Sequence, residues 1–320
     1  MKNKNGVMSV KAIIEKITEQ IQEGIYPGAS LALYRNGQWS EHYLGLADPE
    51  KGEPVEADLV YDLASVSKVV GVATICAFLY AKGELALDRP FKELYPRFAH
   101  EKTTIRELLT HTSGLDPFIP NRDQLDARQL KASLENLQLK EDKSFHYTDV
   151  NFLLLGFWLE ETFGQSLDDL FEELIFAPWK MAETRFGPVE QAVPTVRGVA
   201  SGSVHDPKAR VLGCHAGSAG LFSTVPDLER FLEHYLKDDF ARDLSQNFAR
   251  EEGKTRALGW NLERDWLDHT GYTGTFIMYN RKRQEAVIFL SNRTYEKDER
   301  AQWILDRNSL MDLIKQECEK

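Results

Sequence analysis

The sequence predicts an α+β fold, an antiparallel sheet flanked by helices with a mainly helical subdomain inserted between the two halves of the sheet. Three observations lead there. Strand and hairpin signals gather in the first part of the chain, apolar residues at helical spacing fill the middle, and a second hairpin followed by a helix closes it. Strands, then helices, then strands argue for one sheet split by an insertion, not for βαβ alternation. Residues 1–320 are expected to form one domain, with 1–90 and 195–320 as the sheet-containing part and 91–194 as the helical part.

The elements follow in order. Val10, Ile13, Ile14, Ile17 and Ile21 recur at helical spacing, which predicts an amphipathic first helix. Ala29–Tyr34 reads as a strand, Asn36-Gly37 as a hairpin turn, and Trp39–Leu44 as the returning strand. Leu59–Leu63 is a short apolar strand that gives way to a helix from about Ser65 to Lys82. Thr103-Thr104 can cap Ile105–Leu109, Leu125–Leu137 is helical, and Val150–Phe163 is strongly apolar and stops at Gly164. Ser166 opens a helix over Leu167–Phe176, with Asp168 and Asp169 in the first turn, where the helix dipole favours them. Gly274–Tyr279 and Glu285–Ser291 flank a polar turn as an antiparallel hairpin, and the last helix carries Trp303, Ile304, Leu310, Met311 and Ile314.

Composition narrows the function. A chain of 320 residues, 42% hydrophobic and 28% charged, can bury a substantial core. Its formal net charge of −11 argues against nucleic acid or anionic lipid as a partner. Three widely spaced cysteines and eight scattered histidines suggest neither a disulfide framework nor a zinc site, so no metal or cofactor is expected. No run of eighteen apolar residues suggests a membrane span, and the polar opening Met1–Gly6 is unlike a secretory leader. A cytoplasmic protein is the expectation.

Chemistry first shows at Ser65-Val66-Ser67-Lys68. Residues three apart share a helix face, so the Ser65 hydroxyl and the Lys68 amine can meet within one turn. A serine hydroxyl needs a base to take its proton, and a desolvated lysine can be that base. The tetrapeptide alone reads better as an N-cap serine followed by a solvated lysine. Its context decides.

That context is a series of ordered phrases. Gly45-Leu46-Ala47-Asp48 and Tyr61–Lys68 come first, then Leu108-Leu109-Thr110-His111-Thr112-Ser113-Gly114-Leu115. Phe145-His146-Tyr147-Thr148-Asp149-Val150-Asn151-Phe152, Val204-His205-Asp206-Pro207, Gly217–Thr224 and His269-Thr270-Gly271 follow. With them, from about Pro27 to Asn292, the chain resembles the serine hydrolases of the penicillin-binding-protein and class C β-lactamase superfamily, particularly its esterase-like members. The resemblance implies a β-lactamase/transpeptidase-like fold, with Ser65 as the acylated nucleophile, Lys68 as its neighbouring base and Tyr147 sharing in proton transfer. A phenol beside an ammonium is shifted toward phenolate, while burial disfavours a charged lysine. The third motif, Lys-Thr-Gly in the family and His269-Thr270-Gly271 here, should lie on a strand edge beside the nucleophile. The Tyr272 backbone N–H would then join that of Ser65 in an oxyanion hole, and Asp149, His269 and Gly271 would contact substrate.

Two departures steer the expected activity. His269 stands where the family has lysine, so a permanent cation for a substrate carboxylate is missing. Asp149 stands where β-lactamases usually have asparagine, replacing a donor-acceptor amide by an acceptor-only carboxylate. Both favour a small-molecule ester or amide over a β-lactam. His111 reads as a packed or capping histidine, and His205-Asp206 as a holder of a loop near the site. A rival hydrolase reading uses Ser218, since Ala216-Gly217-Ser218-Ala219-Gly220 approaches a nucleophile elbow, with Asp227, Asp238 or Asp265 and then His269 completing a triad. Against it stand Ala216 in place of glycine and the lack of a preceding strand. A third reading is a binding protein that kept the scaffold without turnover.

Overall fold

Strands from the two ends of the chain close one antiparallel sheet. The computed structural model describes residues 10–250 and 254–319. Its strands are β1 (Gly28–Arg35), β2 (Gln38–Asp48), β3 (Glu53–Pro54), β4 (Tyr61–Asp62), β5 (Arg185–Phe186), β6 (Leu221–Ser223), β7 (Asn261–Glu263), β8 (Trp266–Thr270), β9 (Phe276–Asn280) and β10 (Glu285–Ser291). Seven of them form a sheet in the order β3-β2-β1-β10-β9-β8-β7. β1 runs against β10, with Ala29 opposite Ser291 and Tyr34 opposite Ala286. Asn36 and Gly37, both at positive φ, make the tight β1–β2 turn that their sequence signalled.

The central strands are buried on both faces, and the two-residue period sorts their side chains. Leu31, Leu33 and Phe289 face one side, under the helices Val10–Gln22 and Arg300–Cys318, which contribute Ile13, Ile17, Trp303 and Leu310. Ala32, Ile288 and Tyr279 join the larger core on the other side, where the helix Val225–Lys237 brings Phe231 and Tyr235. The helical region is built around Val150–Phe163, in which every residue from Val150 to Leu159 is buried. That explains its lack of a polar stripe: it is a core helix. Gly164 ends it at φ 70°. Thr104 and Glu107 form the capping box of Ile105–Thr110, and His111 closes that helix in the left-handed conformation.

Several expected elements differ. The helix predicted from Ser65 to Lys82 is a 3₁₀ turn (Ala64–Val66), a short helix (Ser67–Val70) and a longer one (Val72–Ala81), interrupted at Gly71 with ψ −93°. The Thr74 hydroxyl donates to the Val69 carbonyl at 2.6 Å and satisfies the backbone at the break. Ala64–Ala81 is long and apolar enough by composition to cross a bilayer, but most of it is buried in the core. The strand expected over Leu59–Leu63 shrinks to β4, because the Asp62 carboxylate accepts the Ala64 N–H at 2.7 Å and turns the chain. β5 lies inside the segment assigned to the helical part and pairs with β6, which also pairs with β4 in a second, three-stranded sheet.

Candidate active site

Ser65 sits where the small sheet ends. Ala64, just before it, takes φ 46°, a left-handed conformation that costs an alanine of order 1 kcal/mol and needs support from its surroundings. Asp62 supplies that support. One carboxylate oxygen holds the Ala64 N–H and the other holds the His205 N–H at 2.8 Å, tying the nucleophile turn to the loop across the cleft. Burial pushes the Asp62 carboxyl up to about 6, against these two backbone donors. His205-Asp206 therefore has the loop-holding place expected of it, with Asp206 capping Pro207–Leu212 through the Ala209 N–H at 2.8 Å.

Lys68 is fully buried beneath Ser65, and burying an unpaired ammonium would cost several kcal/mol. Among the described residues its Nζ meets three oxygens within 3.0 Å. They are Ser65 Oγ at 3.0 Å, Asp149 Oδ1 at 2.9 Å and the Ser218 carbonyl at 2.8 Å. Burial works to lower the Lys68 pKa, but the Asp149 carboxylate and the Tyr147 phenol outweigh it and hold the proton above the ordinary lysine range. Burial likewise works to raise the Asp149 pKa, and Lys68 with Lys208 pulls it below the ordinary carboxylate range. The resting pair is thus ammonium and carboxylate. Two of the three partners can only accept. In the neutral amine both N–H bonds would go to Asp149 and Ser218, leaving the lone pair directed at the Ser65 hydroxyl.

The Ser218 carbonyl reaches Lys68 because Gly217 lies flat on the core helix. A Cβ at Gly217 would fall 2.4 Å from the Phe152 carbonyl oxygen, so no larger residue fits there without displacement. This placement removes the rival nucleophile. Ser218 is fully buried, its Oγ has no partner among the described residues, and it follows a 3₁₀ turn (Gly213–His215) instead of a strand.

Tyr147 enters from the N-terminal side of the core helix. Its ring lies 5.2 Å from Lys68 Nζ and packs on His111 at 4.7 Å between centroids. His111 is buried, and its Nδ1 accepts from Asn151 Nδ2 at 3.1 Å and from the Thr148 N–H at 3.4 Å. Burial first, then the charges of Arg256 and Lys68, keeps that imidazole well below its usual pKa. Neutral and fixed, His111 backs the tyrosine ring.

The third motif lies beside the nucleophile turn. His269 and Thr270 extend past the end of β7, whose last pairing with β8 is Asn261 with Asp268, so this stretch of β8 has a free edge. Thr273 and Thr275 donate to the carbonyls of Asp62 and Leu63 at 2.9 and 3.1 Å. A Cβ at Gly271 would fall 2.6 Å from the Leu63 carbonyl oxygen, so only glycine allows this approach. Arg293 fixes Tyr272 by donating to its carbonyl at 2.8 Å and stacking on its ring at 4.6 Å. Among the described residues no hydrogen bond runs from the backbone N–H of Ser65 or Tyr272.

Ser65, Tyr147, Asp149 and Tyr272 line a single cavity of about 620 Å³, whose walls include Pro117, Val196, Val199 and Val204. Three expectations are placed differently. His269 is 2% exposed, lies behind Tyr147 at 6.2 Å between ring centroids, and like Gly271 is not in the cavity wall. Neither His269 nitrogen has a partner among the described residues, and burial, then Lys68 and Arg256, keeps it neutral. Asp149 does line the cavity, but both its oxygens are engaged by lysines, Oδ1 by Lys68 and Oδ2 by Lys208 at 3.2 Å. A carboxylate so engaged is a partner of Lys68 before it is a contact for substrate. Sequence reasoning missed Lys208 and Asp62. The acidic residue at 149 called for a cation, which Lys68 already supplies, so nothing in the sequence pointed to Lys208.

Comparison with known proteins agrees with this geometry. The model of the Beta-lactamase family matches residues 13–310. A protein of Escherichia coli (strain K12), named as a D-alanyl-D-alanine carboxypeptidase, is 26% identical over 87% of this chain and 81% of its own length. The D-amino acid amidase of Ochrobactrum anthropi SV3 superposes with a TM-score of 0.76 at 20% identity, covering 97% of this chain and 98% of that one. EstCE1, a hydrolase with promiscuous acyltransferase activity, superposes equally, with a TM-score of 0.76 at 19% identity over 95% and 97% of the two chains. A family match over nearly the whole length, on a β-lactamase/transpeptidase-like fold, shows that this chain belongs to the Beta-lactamase family of serine hydrolases.

Proposed function

We propose that the protein hydrolyses a small ester or amide through an acyl-enzyme on Ser65, as an esterase-like enzyme and not an efficient β-lactamase. The observation that carries this reading is the 3.0 Å approach of Lys68 Nζ to Ser65 Oγ at the wall of a cavity that Tyr147 also lines. Ser65 Oγ would attack the substrate carbonyl carbon while its proton passes into the Lys68–Tyr147 pair, in the fraction of molecules where that pair has first given up one proton to solvent. The backbone N–H groups of Ser65 and Tyr272 would hold the developing oxyanion, a contribution commonly worth about 3 kcal/mol per donor. The same pair would protonate the leaving group. Water then attacks the Ser65 ester and regenerates the hydroxyl.

The preference for ester or amide over β-lactam rests on charge. His269 is buried and neutral where the family pattern has lysine, and Asp149 offers no N–H to a substrate amide. The cavity offers apolar wall at Pro117, Val196, Val199 and Val204 for an uncharged acyl group, beside the charged side chains of Asp206, Lys208, Arg210, Asp298 and Arg300. A panel of p-nitrophenyl esters, D-amino-acid amides and nitrocefin tests the assignment. We expect kcat/KM for the best ester or amide to exceed that for nitrocefin by at least about tenfold, the scale of losing one charge-assisted contact. Nitrocefin turnover faster than every ester and amide in the panel would overturn it.

A further inference from the structure

The site holds a second lysine that the hydrolytic mechanism does not require. Lys208 sits in the first turn of Pro207–Leu212, where the helix dipole disfavours a cation, and its side chain is only 14% exposed. Its Nζ meets Asp149 Oδ2 at 3.2 Å. Asp149 occupies the N-cap position of the core helix without capping it, and its two oxygens bridge two lysines instead.

We propose that Lys208 is a positioning residue for the chemistry at Ser65: its hold on one oxygen of Asp149 keeps the other on Lys68 and lowers the pH at which Ser65 becomes reactive. The inference rests on the reading of Ser65 as the acylated group. Asp149 alone would pull strongly on the Lys68 proton. A second cation on the same carboxylate draws off part of that pull and makes the surroundings more positive. Both effects favour the free amine at Lys68, the form that can take the Ser65 proton.

The other groups around Lys68 do not supply this control. From its own turn only Ser65 faces it, and the loop before β6 brings the uncharged Ser218 carbonyl. His111, at the end of Ile105–Thr110, and His269, on β8, are neutral. Arg256 and Lys254, ahead of β7, add positive charge to this pocket, but Arg256 is bound to the Asn261 side chain and to the Gly259 carbonyl at 3.1 Å, not to Asp149. Tyr147 and Asp149 also face Lys68, and among the described residues Lys208 alone shares the carboxylate.

The test is the pH dependence of the rate at which a neutral fluorophosphonate modifies Ser65, followed by mass spectrometry across the neutral and alkaline range. A neutral probe separates this role from binding of a substrate anion by Lys208. We expect Lys208→Met to move the rising limb to higher pH by about one unit, a roughly tenfold slower reaction at a pH on that limb. Lys208→Arg should restore the wild-type limb, and Asp149→Asn should move it to lower pH. A Lys208→Met limb that coincides with the wild type or lies below it overturns the proposal, as does a Lys208→Arg limb displaced as far as that of Lys208→Met. Should Lys208→Met fail to fold by circular dichroism, Lys208→Gln reads the same shift. Should that fail too, Lys208→Ser reads it, with a limb above that of the wild type for the proposal and any other result against it. Wild-type protein that is never modified at Ser65 would instead defeat the hydrolase reading itself.

Discussion

Replacing Lys68 by methionine is expected to lower kcat/KM for a p-nitrophenyl ester by about 10²–10⁴-fold, the usual contribution of a positioned acid-base group. It should also reduce folding stability, because Lys68 is buried with all three of its partners in place. Removing one member of a fully buried ion pair commonly costs about 3–5 kcal/mol. Here Lys208 still neutralises Asp149, whose side chain is 25% exposed, so about 1–3 kcal/mol is the expected loss. The linkage signs set the pH window. Lys68 is raised, so its share is present below the unfolded lysine pKa and is lost only as pH rises through the folded value. Asp149 is lowered, so its share is present above the unfolded carboxylate pKa and is lost as pH falls through the folded value. The stability gap between wild type and variant should therefore hold from about pH 5 to pH 9. Urea unfolding at both ends of that range, with ester kinetics, checks it. Wild-type turnover in the variant would remove Lys68 from the chemistry.

Tyr147→Phe separates chemistry from stability more cleanly. The side chain is 36% exposed, and its ring contacts with His111 and Lys68 survive loss of the hydroxyl. Stability should therefore change by no more than about 0.5 kcal/mol. Loss of the phenol should lower kcat by about 10²–10⁴-fold with little change in KM, because the hydroxyl acts on the proton and not on the bound substrate. A variant with unchanged kcat would make Tyr147 a wall residue. Equal losses of kcat and stability would make it a structural one.

Much of this arrangement was legible in the chain because its signals are local. The Asn36-Gly37 turn, the threonine cap ahead of Ile105 and the stop at Gly164 each work through neighbouring backbone, and each appears where its residues placed it. The ordered motifs put Ser65 and Tyr147 in the wall of one cavity with Lys68 buried behind Ser65, because the family likeness spans nearly the whole chain. What local signals could not supply is long-range. The break at Gly71 is accommodated by a threonine hydroxyl rather than signalled by a proline, so the apolar run read as one helix. β4 and β5 are two residues each and exist only because β6 lies between them. Lys208 meets Asp149 through the tertiary fold, and nothing near either residue in sequence names the other. His269 carries no mark of burial in its own motif, yet the packing of Tyr147 places it behind the wall.

Locating the adduct of a neutral fluorophosphonate by peptide mass spectrometry, in wild type, Ser65→Ala and Ser218→Ala, tests most directly whether Ser65 is the group that attacks. The account predicts one adduct on Ser65, none in Ser65→Ala, and an unchanged yield in Ser218→Ala. An adduct that persists in Ser65→Ala and vanishes in Ser218→Ala, or a wild-type protein that takes up no reagent, would contradict it.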